Sequence, residues 1–481
     1  VLGGSTIKRV ISIILIAIIL TGCSKNKNDY YYNSFAVQSQ TKENESENVE
    51  ITKQLTMNVF YTAVQETYEK YARQYMDLHP EVEVNISCIS TDFNWTMGEI
   101  TSKYLTKLNT ELMSGKSADI VDVTVFASDK VAKSGLFTDL YEYIKKDETF
   151  NMDDYYGNIF SALEYEKKLY ILPFQFYYGL TSVNSSKINI DTLKNKNGIN
   201  IRDLVSLYNE WLSTTTDESI NLKRAFAPHQ YIEGILDDFI DYENRTASIN
   251  GDKFIKLLEE SKQLPTDTEY IQVGPTGAVS RSSIGGSALS EKGYSNKYLY
   301  KNFSISYADI PNMISETNPD YNNLFPTIND TGEYEFSAQH VFAITEASKE
   351  KELAWDFLHY CISEEAFDTM GGNDANTHWL DVFNWFEGGY IPINRNLFNV
   401  VYPQFIDMQM EIGIPNREEA IDELVEKIDT WNTKQSRFKS RNYELFMTLV
   451  YPELYLFYTN QANAAETANK IQRKIELYLN E

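Results

Sequence analysis

Between Leu55 and Phe126 the chain alternates strand-like with helix-like stretches, and no other feature narrows the fold as far. Leu55-Thr56-Met57-Asn58-Val59-Phe60-Tyr61 alternates with the period of two that a strand requires. Thr62 can cap a helix over about Gln65–Leu78, with Tyr68, Tyr71, Ala72 and Tyr75 on one face and His79-Pro80 as its end. Val82, Val84 and Ile86 alternate in a second strand, Glu81–Ile89. Ile100, Leu105, Leu108 and Leu112 mark a helix over about Glu99–Met113, stopped by Ser114-Gly115-Lys116. Ala118–Phe126 reads as a buried strand, and another helix begins at Asp129–Ser134. Strands separated by helices are the signature of parallel pairing, because a parallel neighbour is reached only through a long crossover. The expected class is α/β, with an open, largely parallel sheet.

The amino-terminal region is organised differently. Lys8 and Arg9 precede an apolar run, Val10–Leu20, broken only by Ser12. A cationic start before about 11 apolar residues has the form of a secretory signal. The run is shorter than the roughly 20 residues of a membrane-spanning helix. Leu20-Thr21-Gly22-Cys23 resembles the lipobox of bacterial lipoproteins. That resemblance implies cleavage before Cys23, a diacylglyceryl group on its thiol, and a mature protein tethered outside the cytoplasm by two acyl chains. Residues 1–22 are then a lipoprotein signal peptide. Residues 23–53, polar and rich in Asn, Ser, Glu, Lys and Gln, form a disordered tether.

With 481 residues the chain can hold two or three domains, and 42% hydrophobic content supplies large cores. A formal net charge of −26 argues against nucleic acid, since the chain has no excess of cations to neutralise phosphate. It also argues against polyanionic ligands and leaves membrane contact to the lipid. Besides Cys23, Cys88 sits in a strand-like run and Cys361 on a helix; two buried thiols are favoured over one disulfide. Catalytic motifs are missing. The five histidines show no HExxH pairing. Gly115-Lys116-Ser117 ends like a phosphate loop, but Thr110 stands where its first Gly belongs. Gly285-Gly286-Ser287-Ala288-Leu289 departs from a nucleophile elbow at its last position. Neither a metal nor a cofactor is expected.

Farther along, Leu169–Pro173 and Phe176–Leu180 read as two extended pieces around a proline, and Phe336–Ile344 as a strand. Asp203–Leu212, Gly251–Leu264 and Lys349–Ser363 read as helices, as does most of Glu418–Glu481. Gly274–Gly293 is loop-rich, and Tyr307–Met313 is extended and broken by Pro311.

Six short segments, in order, resemble the sugar-binding type of extracellular solute-binding proteins that serve ATP-driven (ABC) importers. Tyr104–Val121 resembles that family's helix followed by a small residue, Gly and an Asp-Ile-Val strand. Gly135-Leu136-Phe137-Thr138-Asp139-Leu140 resembles its Gly-Leu-Leu-x-Asp-Leu turn. Lys168-Leu169-Tyr170-Ile171-Leu172-Pro173 matches its Lys-Leu-Tyr-x-Leu-Pro, with Lys167 in place of the usual Gly. Leu180–Asn184 resembles its Leu-x-Tyr-Asn strand, with Val183 where an aromatic is common. Phe342–Leu358 resembles its Ser-Lys and Ala-Trp-x-Phe-Leu helix, and Gly389–Asn394 its Gly-x-Ile-Pro-Val-Asn. The resemblance implies a two-lobed periplasmic-binding-protein-like fold with a ligand cleft between lobes joined by hinge segments. One lobe would comprise 54–180 and 336–398, the other 181–335 and 399–481. It further implies a monomer that hands its ligand to ABC permease subunits in the membrane.

A sugar site needs aromatic platforms for ring faces and amides, carboxylates or hydroxyls for the many OH groups. Candidates are Tyr61 and Gln65 after the first strand, Trp95 in the loop after the second, and Asp122 near the end of the third, where open α/β sheets bind ligands. Gln175, Tyr177 and Tyr178 follow Pro173, and Trp379 and Trp385 lie in the Trp-rich stretch before Gly389. The same aromatics have the spacing of core residues. A surface carbohydrate-active enzyme with paired carboxylates, or a ligand sensor for a membrane kinase, is the alternative function.

Overall fold

The structure is a computed structural model that describes residues 51–89, 97–126, 128–183, 189–193, 196–216, 228–241, 244–263, 271–273, 279–281, 300–304, 324–329, 331–369, 390–399, 427–435 and 446–480. Residues 1–50, which hold the expected signal peptide and most of the expected tether, lie outside these residues, as do Trp95, Trp379, Trp385, the Tyr307–Met313 segment and most of Gly274–Gly293.

The opening alternation becomes β1 (Lys53–Tyr61), α1 (Thr62–Leu78), β2 (Val82–Ile89), α2 (Met97–Met113) and β3 (Ile120–Asp122). β1 pairs in parallel with both β2 and β3. A central parallel strand is covered on both faces, and β1 buries Leu55, Met57 and Val59 on one side and Asn58 and Phe60 on the other. The third strand is shorter than its apolar run suggests. Asp122 Oδ1 accepts the Thr124 N–H at 2.9 Å, and Phe126 N–H donates to Val123 O at 2.9 Å. These local bonds turn the chain away after Asp122.

The further elements of the main sheet and its two cores that matter here are β4 (Leu172–Val183), α3 (Ile201–Thr214), α4 (Pro228–Ile235), α5 (Asp252–Ser261), β5 (Tyr300–Ser304), β6 (Leu324–Pro326), β7 (Tyr334–Ile344), α6 (Lys351–Cys361), β8 (Ile391–Pro392), β9 (Thr433–Gln435), α7 (Tyr451–Tyr458) and α8 (Ala464–Asn480). Among the described residues one nine-stranded sheet runs β6-β4-β7-β3-β1-β2, with β5 and β8 on β4 and β9 on β7. β7 is antiparallel to both β3 and β4, so β4 runs in the direction of β3. The two extended pieces around Pro173 are one strand. Pro173 stands opposite Val341, which gives its N–H to Thr124 Oγ1 and its carbonyl to the Val123 N–H, each at 2.8 Å. The donor that proline lacks is therefore not missed by β7.

Two hydrophobic cores flank the sheet. The first gathers β1–β3, the first half of β4, β7, α6 and Ile391–Phe398; the second gathers Val183, α3–α5, α7 and α8. β4 places Leu172, Phe174, Phe176 and Tyr178 in the first core and Val183 in the second. Gly179 lies at the change-over, where a Cβ would stand 2.9 Å from Thr327 Oγ1. Phe325 packs on the second core and Phe336 on the first, so the chain returns across between them. Ile428 is fully buried in the first core, and Thr433–Gln435 pair with β7. Phe446, the next described residue after Gln435, packs in the second core.

Two of the six recurrent segments, those holding Asp119 and Ser348, meet β1 at one staple. Asp119 Oδ2 accepts from Thr56 N at 2.9 Å and Thr56 Oγ1 at 2.6 Å, while its Oδ1 accepts from Ser348 Oγ at 2.7 Å. Asp139 Oδ1 accepts the Leu169 and Tyr141 N–H groups, both at 3.1 Å. Lys167, where glycine is usual, has φ of +62°, and Glu166 before it has φ of +49°. Tyr165 and Lys168 exchange both backbone bonds around them, so this is a two-residue hairpin turn that demands positive φ at both centres.

Candidate functional site

β1, β2 and β3 end at one edge of the sheet, whereas β4 and β7 continue past it. Asp122, the last residue of β3, is level with Phe342, which is level with Leu172. Gln175 and Tyr177 thus project beyond the carboxyl ends of the parallel strands, the place where open α/β sheets leave a crevice.

Asp122 is 2% exposed. Its Oδ2 accepts the Phe60 N–H at 3.2 Å, its Oδ1 the Thr124 N–H, and its carbonyl the Tyr104 hydroxyl at 2.6 Å. Its carboxylate shapes the exits of β1 and β3. Burial, with Asp122 and Glu111 nearby, pushes the Tyr104 phenol well above its usual range. Gln65 is half-buried on α1; its Nε2 donates to Glu69 Oε1 and its Oε1 accepts from Cys88 Sγ, both at 2.8 Å. Tyr61 closes β1 next to it. Cys88 and Cys361 are free thiols, the first half-buried and the second buried. Tyr178 has no exposed surface. Its ring meets Trp431 edge-on at 4.7 Å and Phe336 at 6.1 Å, so it is part of the core and not a platform. Tyr177, two residues from Gln175 on the same strand face, is half-exposed and stacks on Tyr390 at 5.0 Å with 23° between planes.

Gln175 is 6% exposed, and its Oε1 has no hydrogen-bond partner. Gln175 is one of the residues lining a small cleft that is partly open to solvent. The walls come from four elements: Tyr68 and Tyr71 of α1, Phe174 beside Gln175, His340 of β7, the end of α6 from Cys361 to Ser363, and Pro392–Asn394. Among the described residues, no Asp, Glu, Lys or Arg lines it. Asn394 is spent on structure: its Nδ2 donates to Ile362 O at 3.1 Å, and its Oδ1 accepts from Asn396 N at 2.9 Å. His340 holds φ of +50° within a strand whose register to β4 does not slip. Such left-handed backbone costs a non-glycine residue about 1–3 kcal/mol and gathers at functional sites.

The sequence-derived candidates thus divide. Gln175 and Tyr177 lie on one face of β4 beyond the ends of the parallel strands, Asp122 and Gln65 are structural ties, and Tyr178 is core. Tyr68 and Tyr71 had the spacing of a buried helix face, and they are indeed buried while still walling the cleft. His340 was passed over, although Gln339-His340 is a polar pair interrupting an otherwise apolar strand, which is a legible signal.

A family model described as bacterial extracellular solute-binding protein matches residues 91–376. None of the curated proteins matches the chain. Solved structures are similar over nearly their whole length. An ABC substrate-binding protein of Listeria monocytogenes, in complex with cycloalternan, is 15% identical with a TM-score of 0.50, over 89% of this chain and 99% of that one. An ABC transporter solute-binding protein of Agrobacterium radiobacter K84, in complex with ribitol, is 14% identical with a TM-score of 0.51, over 90% and 100%. A family 1 extracellular solute-binding protein of Alicyclobacillus acidocaldarius is 11% identical with a TM-score of 0.50, over 89% and 98%. At these identities the likeness is one of fold, the two-lobed α/β architecture of binding proteins. The family match spans more than half of the 481 residues, and with it the chain belongs to the bacterial extracellular solute-binding proteins.

Proposed function

We propose that this protein is a lipid-anchored receptor that captures a sugar or oligosaccharide outside the cell membrane and delivers it to an ABC-type importer. The observation that carries the reading is a cleft whose described walls are tyrosines and an amide with no Asp, Glu, Lys or Arg among them, beside the strands that pass between two cores. Aromatic faces and neutral hydrogen-bonding groups suit a sugar. The cycloalternan and ribitol complexes of similarly folded proteins agree with it.

The first core and the second core are the two lobes, and the crossings at Tyr178–Val183, Phe325–Phe336 and Ile428–Phe446 are the hinges. Ligand seated against the first lobe draws the second over it, a hinge closure. Cys23 carries the lipid, and residues 23–53 act as the tether that keeps the monomeric receptor within reach of its permease. Isothermal titration of the purified protein against a panel of neutral mono- and oligosaccharides tests the ligand class. One-to-one saturable binding of a saccharide is expected. Binding of oligopeptides with no heat from any saccharide would overturn the reading.

A further inference from the structure

From Phe336 to Ile344 every residue of β7 is buried except His340. Phe336, Ala338, Phe342 and Ile344 alternate within the first core, a pattern that asks for an apolar residue at 340. The chain carries an imidazole there, on left-handed backbone with φ of +50°. Among the described residues the other non-glycine positions of positive φ are Glu166, Lys167, Arg245 and Asn460, all in turns, where the conformation reverses the chain. At His340 it occurs inside a continuous strand. Histidine enters this region more readily than most residues, but the conformation still costs roughly 1–3 kcal/mol, and glycine would remove that cost. Keeping histidine where glycine fits better points to a use for the ring.

The position of His340 suggests that use. Phe342 is level with Asp122, where β3 ends, and Val341 bonds to Val123 and Thr124 just beyond it. His340 is the next residue of β7, at the crevice that an open α/β sheet leaves past the carboxyl ends of its parallel strands. Its imidazole lies 6.2 Å from the Tyr68 ring, tilted by 51°. Tyr68 is itself buried and meets Phe174 and Phe342 edge-on, so His340 is the polar, partly exposed member of an aromatic cluster. Tyr68, Phe174 and His340 all line the cleft. A neutral imidazole carries one donor and one acceptor, which suits hydroxyls, and the aromatic rings beside it suit the apolar face of a sugar.

We infer that His340 is a ligand-contacting, specificity-determining residue of the receptor: its imidazole hydrogen-bonds a hydroxyl of the bound saccharide, and its left-handed backbone is stability given up to set the ring in the cleft. The inference rests on the receptor reading above.

Two variants test it. His340→Gly frees the backbone and deletes the ring; His340→Asn keeps a side chain that tolerates left-handed backbone but is shorter. Without ligand, His340→Gly should reach a urea midpoint at or above the parent's. A lower midpoint in both variants would make the imidazole a structural cap on Tyr68 and overturn the inference. With the saccharide that binds the parent best, His340→Gly should lose at least about tenfold in affinity by calorimetry, the worth of one hydrogen bond. One monodeoxy analogue should lose as much on the parent and nothing further on the variant. The imidazole resonances of His340, assigned by their absence from His340→Gly, should shift when the parent is saturated. Affinity within about twofold of the parent in both variants, or His340 resonances that stay in place, overturns the contact while leaving the receptor standing. A parent that binds no saccharide overturns the receptor reading and the contact with it.

Discussion

Lys167 shows how a single residue departs from a recurrent pattern without breaking it. The turn Tyr165-Glu166-Lys167-Lys168 keeps the positive φ that glycine would supply, at a cost of roughly 1–2 kcal/mol for a residue with a Cβ. Lys167→Gly should therefore stabilise the protein by about 0.5–1 kcal/mol, read as a higher urea midpoint at unchanged slope. Asp147 works in the opposite direction. Its Oδ2 accepts from Trp355 Nε1 at 2.9 Å and lies 2.8 Å from His359 Nδ1, and its Oδ1 accepts from Thr149. Burial opposes its charge, but the hydrogen bonds from Thr149 and Trp355 and the adjacent His359 outweigh it and hold the carboxyl below its ordinary value. A depressed folded pKa contributes stability above the unfolded value, near pH 4, that is lost as the pH falls through the folded one. Asp147→Ala should cost about 1–3 kcal/mol at pH 7, and its urea midpoint should decline less steeply than the parent's below about pH 4.

Elements were legible where periodicity and local chemistry agreed. β1, α1, β2 and α2 follow the alternation of their apolar residues closely. β3 did not, because the Asp122 turn ends it inside an apolar run, and a side chain bonding to its own backbone leaves no trace in hydropathy. α3 begins earlier than Asp203 because Asn200 caps it: Oδ1 accepts from Arg202 and Asp203 N–H at 3.0 Å each, and Asp203 answers the Asn200 N–H at 3.2 Å. Asn200→Ala should destabilise by about 1 kcal/mol, seen as a lower melting temperature. The predominantly helical reading of the last 64 residues hid β9, a three-residue strand that exists only because β7 offers it an edge. In the candidate site, Gln175 and Tyr177 were readable as polar and aromatic residues after a proline. That Tyr178 turns into the core follows from strand parity, but which parity faces the crevice is set by pairing with β7, 160 residues away by register.

The whole molecule joins two cores with few covalent crossings. The first core holds the parallel edge, the cleft and the staple at Asp119; the second is built chiefly from helices. Removing the staple with Asp119→Ala should take the acceptor from the Thr56 N–H, the Thr56 hydroxyl and the Ser348 hydroxyl and lower stability by about 1–3 kcal/mol, with the loss confined to amide-exchange protection in β1, β3 and α6 and absent from α3–α5. Equal loss in both regions would mean that the cores unfold as one. Closure of one core upon the other around a neutral sugar is the central claim. Small-angle scattering during titration with the saccharide that binds tests it most directly. The radius of gyration should fall and saturate at the stoichiometric point, and an unchanged radius at full occupancy would contradict it.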